Sequence, residues 1–295
     1  RIIVVADGVL QYIPFSTLLE PGSGEEGETL LAQHEVIYLP SSSVVAAMQD
    51  DPAGRKAPDK RIAIFADPVF ELTDRRFNEA GPATVETGGQ GTRGSLTRPS
   101  PVELKRLPAT SMEADAIASL VPPENRMLAK GFDASRTNVL EANLGDYELV
   151  HFATHGLIDS RYPALSAMAF SRFDREGRPL DALLHLHDIY KLDLNAELVT
   201  LSACSTALGR EISGEGLSGL TQGLLHSGSK SVLASQWQVP DRATAELMRL
   251  FYQNLLEKEQ KPAAALRNAQ LALSSRKRWQ GPYFWSAFVL QGDWR

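Results

Sequence analysis

The chain is 295 residues long, 43% apolar and 22% charged, with a formal net charge of -6 and one cysteine, Cys204. Its length leaves room for one large α/β domain or two of about 150 residues, and no run nears the roughly 18 apolar residues of a membrane span, which excludes an integral membrane protein. A single thiol excludes an internal disulfide and a Cys-rich zinc site, and the acidic balance disfavours direct nucleic-acid binding.

The chain starts at Arg1 and enters the apolar run 2–6 without a charged leader, so it is expected to be a piece of a longer protein whose remainder holds the regulation. Asp7-Gly8 stands between the runs 2–6 and 9–13, a pattern that predicts an N-terminal β-hairpin. Residues 35–39 read as a strand stopped by Pro40, and Ser41 to Ser43 as caps for a short helix through Gln49. Residues 61–66 form a buried strand closed by Asp67-Pro68. From 71 to 107 the apolar pattern fails among glycines, prolines and arginines. This predicts a long mobile loop, either functional or an insertion. A linker between two domains is rejected, because residues 1–70 are too small and strand-rich to close a core alone. The expected organisation is one domain over 1–295, with an N-terminal part (1–70), a loop (71–107) and a catalytic part (108–295).

Thr110-Ser111-Met112-Glu113 reads as a capping box ahead of a helix whose apolar face is Met112, Ala116, Ile117 and Leu120. Asp133 is the expected cap of a second helix through Leu144. Apolar strands are predicted at 148–154, 197–203 and 231–236, with helices between them, including 217–226. A long helix from Pro240 or Asp241 to about Lys258, another from Pro262 through Ser274 and a closing strand at 284–290 complete the chain. Alternating helices and near-continuous apolar strands indicate an α/β fold, a mainly parallel sheet with helices on both faces.

Two of these strands end in reactive residues, His151 to Gly156 and Leu201 to Thr206. Sites in open α/β sheets form beyond the carboxyl ends of parallel strands, so His155 and Cys204 are expected to face one crevice. A thiol attacks as its thiolate, and a nearby histidine can take its proton and later protonate a leaving amine. Gly156 lets backbone approach closely, and its N–H with that of Cys204 would make an oxyanion hole. The alternative is inert core packing for a cysteine among apolar neighbours. The separation of His155 and Cys204, about 50 residues, matches that of caspases.

Residues His151 to Gly156, Pro163 to Ser166, Leu201 to Gly209, Gly214 to Leu217, Ser235 to Asp241 and Tyr283 to Phe288 together resemble the CHAT domain, a bacterial relative of caspases, separase and gingipains. Ile13-Pro14-Phe15 and Leu39-Pro40-Ser41 extend the resemblance through the whole chain. It implies a caspase-like three-layer α/β/α sandwich and a cysteine endopeptidase with a His155–Cys204 dyad, acting on a protein or peptide without a cofactor or metal. It also implies tetratricopeptide repeats elsewhere in the same chain. Ser202 to Thr206 lacks the Gln-Ala-Cys-x-Gly pattern of caspases, so their preference for aspartate is not carried over. Gly281-Pro282 stands where many CHAT sequences have His-Pro, a position outside the dyad.

Asp241 matches an acidic position that in separase pairs with the arginine before the cut, so it is a candidate substrate-binding residue for Arg or Lys, or else simply the cap of a helix beginning at Arg242. A basic preference would make the loop containing Arg93, Arg98 and Arg106 a self-processing site, against the blander reading of a solvated insertion. His151 reads as a hydrogen-bonded core histidine on the strand of His155 and on the same face. Asp159 is expected to stabilise the loop to Pro163 in preference to orienting His155. His185-Leu186-His187-Asp188 is a weak metal-like run without a third ligand. Trp237, Trp285 and Phe288 pack the core or wall the cleft. The rival class of function is a catalytically silent interaction module relaying a signal from repeats. Without a secretory or membrane signal, the expected location is the cytoplasm.

Overall fold

Ile62, Ile64 and Ala66 alternate along one strand with Ala63 and Phe65, and the two sets belong to different apolar clusters. This alternation sets the layers in a computed structural model of the chain, which describes residues 1–6, 8–24, 27–39, 57–79, 104–159, 162–202, 205–207 and 215–293. The strands are β1 (Ile2–Val4), β2 (Val36–Tyr38), β3 (Lys60–Ala66), β4 (Arg126–Lys130), β5 (Tyr147–Ala153), β6 (His155–Ile158), β7 (Ala167–Ala169), β8 (Leu183–His185), β9 (Leu198–Leu201), β10 (Ser205–Ala207), β11 (Ser231–Ser235) and β12 (Phe288–Gly292). The helices are α1 (Leu30–Gln33), α2 (Arg76–Glu79), α3 (Pro108–Ala118), α4 (Arg136–Glu141), α5 (Leu186–Ile189), α6 (Glu215–His226), α7 (Asp241–Tyr252), α8 (Pro262–Ser274) and α9 (Pro282–Trp285).

Eight strands form one sheet in the order β1-β2-β12-β11-β9-β5-β3-β4, parallel at every pairing except β11–β12. One face packs on Ala114 and Ile117 of α3, Leu247 and Phe251 of α7 and Leu266 and Leu273 of α8. The other packs on Val139 of α4, Ile189 of α5 and Leu220 and Leu224 of α6. The result is an α/β/α sandwich whose strands carry apolar residues on both faces, as a sheet covered on both sides requires.

Several expectations are corrected. The N-terminal hairpin does not form. β1 takes its ladder from β2 in parallel, while Gly8–Tyr12 turns as a 3-10 helix that starts with Gly8 at φ 55. The physical reason is the grip of β2 on this segment: the Tyr38 hydroxyl accepts from the Phe15 N–H (3.0 Å) and donates to the Ile13 carbonyl (3.2 Å). Burial pushes that hydroxyl up to about 12, so it remains a donor at neutral pH. Thr110 lies inside α3, where its hydroxyl donates to the Leu107 carbonyl at 2.6 Å, and Glu113 is buried while Met112 is exposed. Ser135, not Asp133, caps α4, its hydroxyl accepting from the Asn138 N–H at 3.1 Å. The long helix after Pro240 gives way to a π-helical turn at Gln253–Glu257, and Phe284 belongs to α9, so the closing strand begins at Phe288. The predicted helix at 41–49 and loop residues 80–103 lie outside the described residues.

The largest departure is a second sheet, in the order β10-β6-β7-β8. The apolar stretch through His151 and His155 is not one strand. It leaves the large sheet after Ala153, bends at Thr154, whose hydroxyl donates to the Ala169 carbonyl, and re-pairs as β6. His151 and His155 therefore sit in different sheets.

Candidate functional site

Four segments leave the carboxyl edge of adjoining parallel strands near one place. Asp67 to Phe70 follow β3, His155 follows β5, Ser202 follows β9, and Asp241 opens the helix after β11. This is the edge where open α/β sheets form sites. Two cavities, of about 660 and 740 Å³, lie at the opposite edge, lined by residues such as Asp146, Asn195, Arg61 and Glu197.

His155 is buried, with its ring 5.2 Å from that of Phe70. Its Nε2 lies 2.6 Å from the carbonyl oxygen of Lys105. A carbonyl only accepts, so Nε2 carries the hydrogen, and in the neutral ring Nδ1 keeps its lone pair. Burial lowers the His155 pKa, opposed first by the Lys105 carbonyl and then by the negative charge of Asp241. At pH 7 the imidazole is therefore mainly neutral and able to take a proton. Removing the Asp241 charge takes away a raising influence. Asp241→Asn is expected to move the His155 titration midpoint, followed by NMR, further below the ordinary histidine value, and an upward move would contradict this placement of the two groups.

Gly156, the next residue, pairs with Met168 of β7 on one side and with Ser205 of β10 on the other. Ser202 is bound through its N–H to the Phe152 carbonyl at 2.9 Å. Cys204 lies outside the described residues, between Ser202 and Ser205.

Asp241 is the first residue of α7, and Pro240 holds the cap position, so the helix does not begin at Arg242 with Asp241 as its cap. Burial raises the Asp241 carboxyl, His155 opposes this, and the charge of Glu113 adds to it. No Lys or Arg is paired with Asp241 among the described residues.

Behind the site, His151 is fully buried. Its Nδ1 lies 3.0 Å from the Tyr252 hydroxyl, which donates to Thr200 Oγ1 at 3.0 Å. Its Nε2 is 2.9 Å from Glu113 Oε1, close enough for an ion pair but off the line of an aligned hydrogen bond. The core reading of His151 is thus the observed one. Asp159 serves the loop, with its carboxylate accepting from the Tyr162 N–H at 2.8 Å. Asp188 accepts from the His185 N–H and pairs with Arg136, and no group of three or more His, Cys, Asp or Glu among the described residues could hold a metal. Trp285 and Phe288 are core residues, while Trp237 is partly buried and donates through Nε1 to the Tyr283 carbonyl at 3.0 Å.

The family model of the CHAT domain matches residues 1–293. The chain belongs to the CHAT domain family. Human tetratricopeptide repeat protein 28 is 33% identical over 113 residues, which is 38% of this chain and 4% of that protein. Among solved structures, the Arg specific cysteine proteinase gingipain R matches 88% of this CHAT chain with a TM-score of 0.51 at 11% identity. A separase–securin complex from Saccharomyces cerevisiae matches 96% of it with a TM-score of 0.51 at 12% identity. The chain spans 55% of the gingipain chain and 15% of the separase chain. At these identities the likeness is one of fold, and it makes this CHAT domain a caspase-like α/β sandwich. No helix among its described residues is long and apolar enough to cross a membrane.

Sequence reasoning missed Lys105 and Phe70. Phe70 follows a strand end three residues past Asp67, a place where a contact to the site is geometrically available, but nothing in its residue type says so. Lys105 acts through its backbone, which carries no side-chain signature.

Proposed function

We propose that this CHAT domain is a cysteine endopeptidase in which Cys204 is the nucleophile and His155 the base. The observation that carries the reading is the Nε2–H of His155 on the Lys105 carbonyl, which leaves Nδ1 as the proton acceptor. Two neighbours support it: Ser205, the residue after Cys204, pairs with Gly156, the residue after His155. The Cys204 Sγ–H proton passes to His155, and the thiolate adds to the peptide carbonyl. The tetrahedral intermediate then collapses as the leaving amine takes that proton, and water hydrolyses the thioester. The N–H groups of Gly156 and Cys204 are the proposed oxyanion donors.

Asp241 is the proposed specificity residue, favouring Arg or Lys before the cut. A partly buried carboxyl with no Lys or Arg paired to it among the described residues, raised further by Glu113, gains most from a bound guanidinium. The gingipain relative of like fold is itself described as Arg specific. The whole chain is read as one catalytic unit, because the large sheet draws β1 and β2 from its start and β12 from its end. Tetratricopeptide repeats, present by name in the human relative, are its proposed regulators within a longer cytoplasmic protein.

Fluorogenic peptides ending in Arg, Leu and Asp test the specificity. Arg is expected to be cleaved at least tenfold faster, and Asp241→Asn to remove most of that advantage while sparing the slow cleavage after Leu. Cleavage confined to Leu or Asp would remove Asp241 from the reading. Labelling by a peptide-like electrophile that is slow and indifferent to His155 would favour a silent interaction module.

A further inference from the structure

Asp67 holds an unusual position. It directly follows β3, its side chain is 4% exposed, and its φ of 50 lies in the left-handed region, which aspartate tolerates better than most residues but at a cost. Its carboxylate receives a two-pronged grip from Arg106, Nε to Oδ1 at 2.8 Å and an Nη2 nitrogen to Oδ2 at 2.7 Å. Arg76 adds an Nη1 contact to Oδ2 at 3.1 Å and donates to the Asp67 carbonyl at 2.6 Å. Arg76 is itself held by Asp74. A buried carboxylate with two guanidiniums is fixed in place, and bidentate pairing specifies orientation as well as attraction.

The segment that Arg106 ties down carries the Lys105 carbonyl, one residue away, which accepts from His155. Three residues after Asp67, Phe70 packs against the other aspect of the same ring, within a small cluster that also contains Leu104, Leu157 and Ala169. Val69 is anchored on both sides, its N–H to Ser171 Oγ at 2.9 Å and its carbonyl to the Arg172 N–H at 2.8 Å. One short stretch after β3 thus controls both the ring contact and, through Arg106, the hydrogen-bond acceptor of His155.

We infer that the Asp67–Arg106 pair is a positioning clamp that holds the Lys105 carbonyl against His155 Nε2–H and so fixes the imidazole tautomer and orientation. Its service to a peptidase base rests on the function proposed above, whereas its hold on the ring is measurable without catalysis. Among the described residues, the polar and charged groups acting on His155 are the Lys105 carbonyl and, from α7, the Asp241 carboxylate.

The test is NMR of nitrogen-labelled histidine in the wild-type chain and in Arg106→Gln and Arg106→Lys. The lysine variant keeps a cation beside Asp67, removing the two-pronged geometry without stranding the buried carboxylate. The wild type is expected to show His155 as the Nε2–H tautomer. Both variants are expected to show a mixture of tautomers and a titration midpoint lower by about half a unit, with the smaller change in Arg106→Lys. In the same samples, alkylation of Cys204 is expected to slow about tenfold. Wild-type tautomer and midpoint in both variants would overturn the clamp. Changed tautomers with labelling that His155→Ala leaves untouched would uphold the clamp and sink the peptidase reading instead.

Discussion

Replacing His155 with alanine is expected to slow the reaction of Cys204 with a peptide-like electrophile at pH 7 by about 10²–10⁴-fold, the usual worth of a positioned base. The imidazole that is lost is mainly neutral because burial lowers its pKa, and its free lone pair is at Nδ1 because Nε2–H is committed to Lys105. An unassisted thiol near its ordinary pKa of about 8.5 supplies only a few per cent thiolate at that pH. The contrast between variants should therefore shrink as the pH is raised toward 9, where the thiol ionises without help. Labelling is clean because the chain has one cysteine, and mass spectrometry follows it directly. A rate that His155→Ala changes less than about threefold at pH 7 would remove the dyad. Peptide hydrolysis should fall further still in Cys204→Ala, to the level of buffer.

The largest effect on stability is expected at His151. Replacing it with leucine leaves the Glu113 carboxyl in the core, 1% exposed and without the imidazole 2.9 Å away, and leaves the Tyr252 hydroxyl with Thr200 alone. Breaking one side of a buried charged or polar pair costs about 3–5 kcal/mol, because the stranded group keeps its desolvation penalty. Denaturant titration should read this as a lower midpoint at unchanged slope. The double replacement Glu113→Leu with His151→Leu should recover part of the loss, since no polar group is then stranded. A single-variant loss below about 1 kcal/mol would mean that the pair contributes little.

The layers were legible wherever apolar residues ran unbroken. β3, β5, β9 and β11 fall within a residue or two of their predicted places, and α8 runs from Pro262 to Ser274 as its opening proline and spacing indicate. Errors arose where two local patterns look alike. A Thr-x-x-Glu run usually marks a helix start, but Glu113 faces the core toward His151 and helix α3 begins earlier, at Pro108. Asp-Gly between apolar runs usually marks a hairpin, but β2 competes for β1 and wins through a longer-range parallel pairing. The bend at Thr154 is invisible to a period-of-two reading, since both halves are apolar and strand-forming. His155 and Gly156 stand out as candidates by residue type and strand-end position, and Asp241 only through the resemblance to separase. Their supports do not, because Lys105 contributes a carbonyl and Asp67 acts through a partner that is distant in sequence but adjacent in space.

The bend at Thr154 has a thermodynamic consequence. It hands His155 from a sheet of eight strands, sandwiched between two large apolar clusters, to a sheet of four strands only three or four residues long, which places Ile158, Met168 and Leu184 in one of those clusters and Leu157 and Ala169 in a small one with Phe70 and Leu104. Shorter ladders with sparser contacts between strands mean a smaller free energy of local opening. Amide hydrogens of β6 and β7 should accordingly exchange faster than those of β5 and β9. A preparation can then keep its full melting transition while the ring of His155 has already lost its setting, so integrity of the sandwich and competence of the site need separate assays.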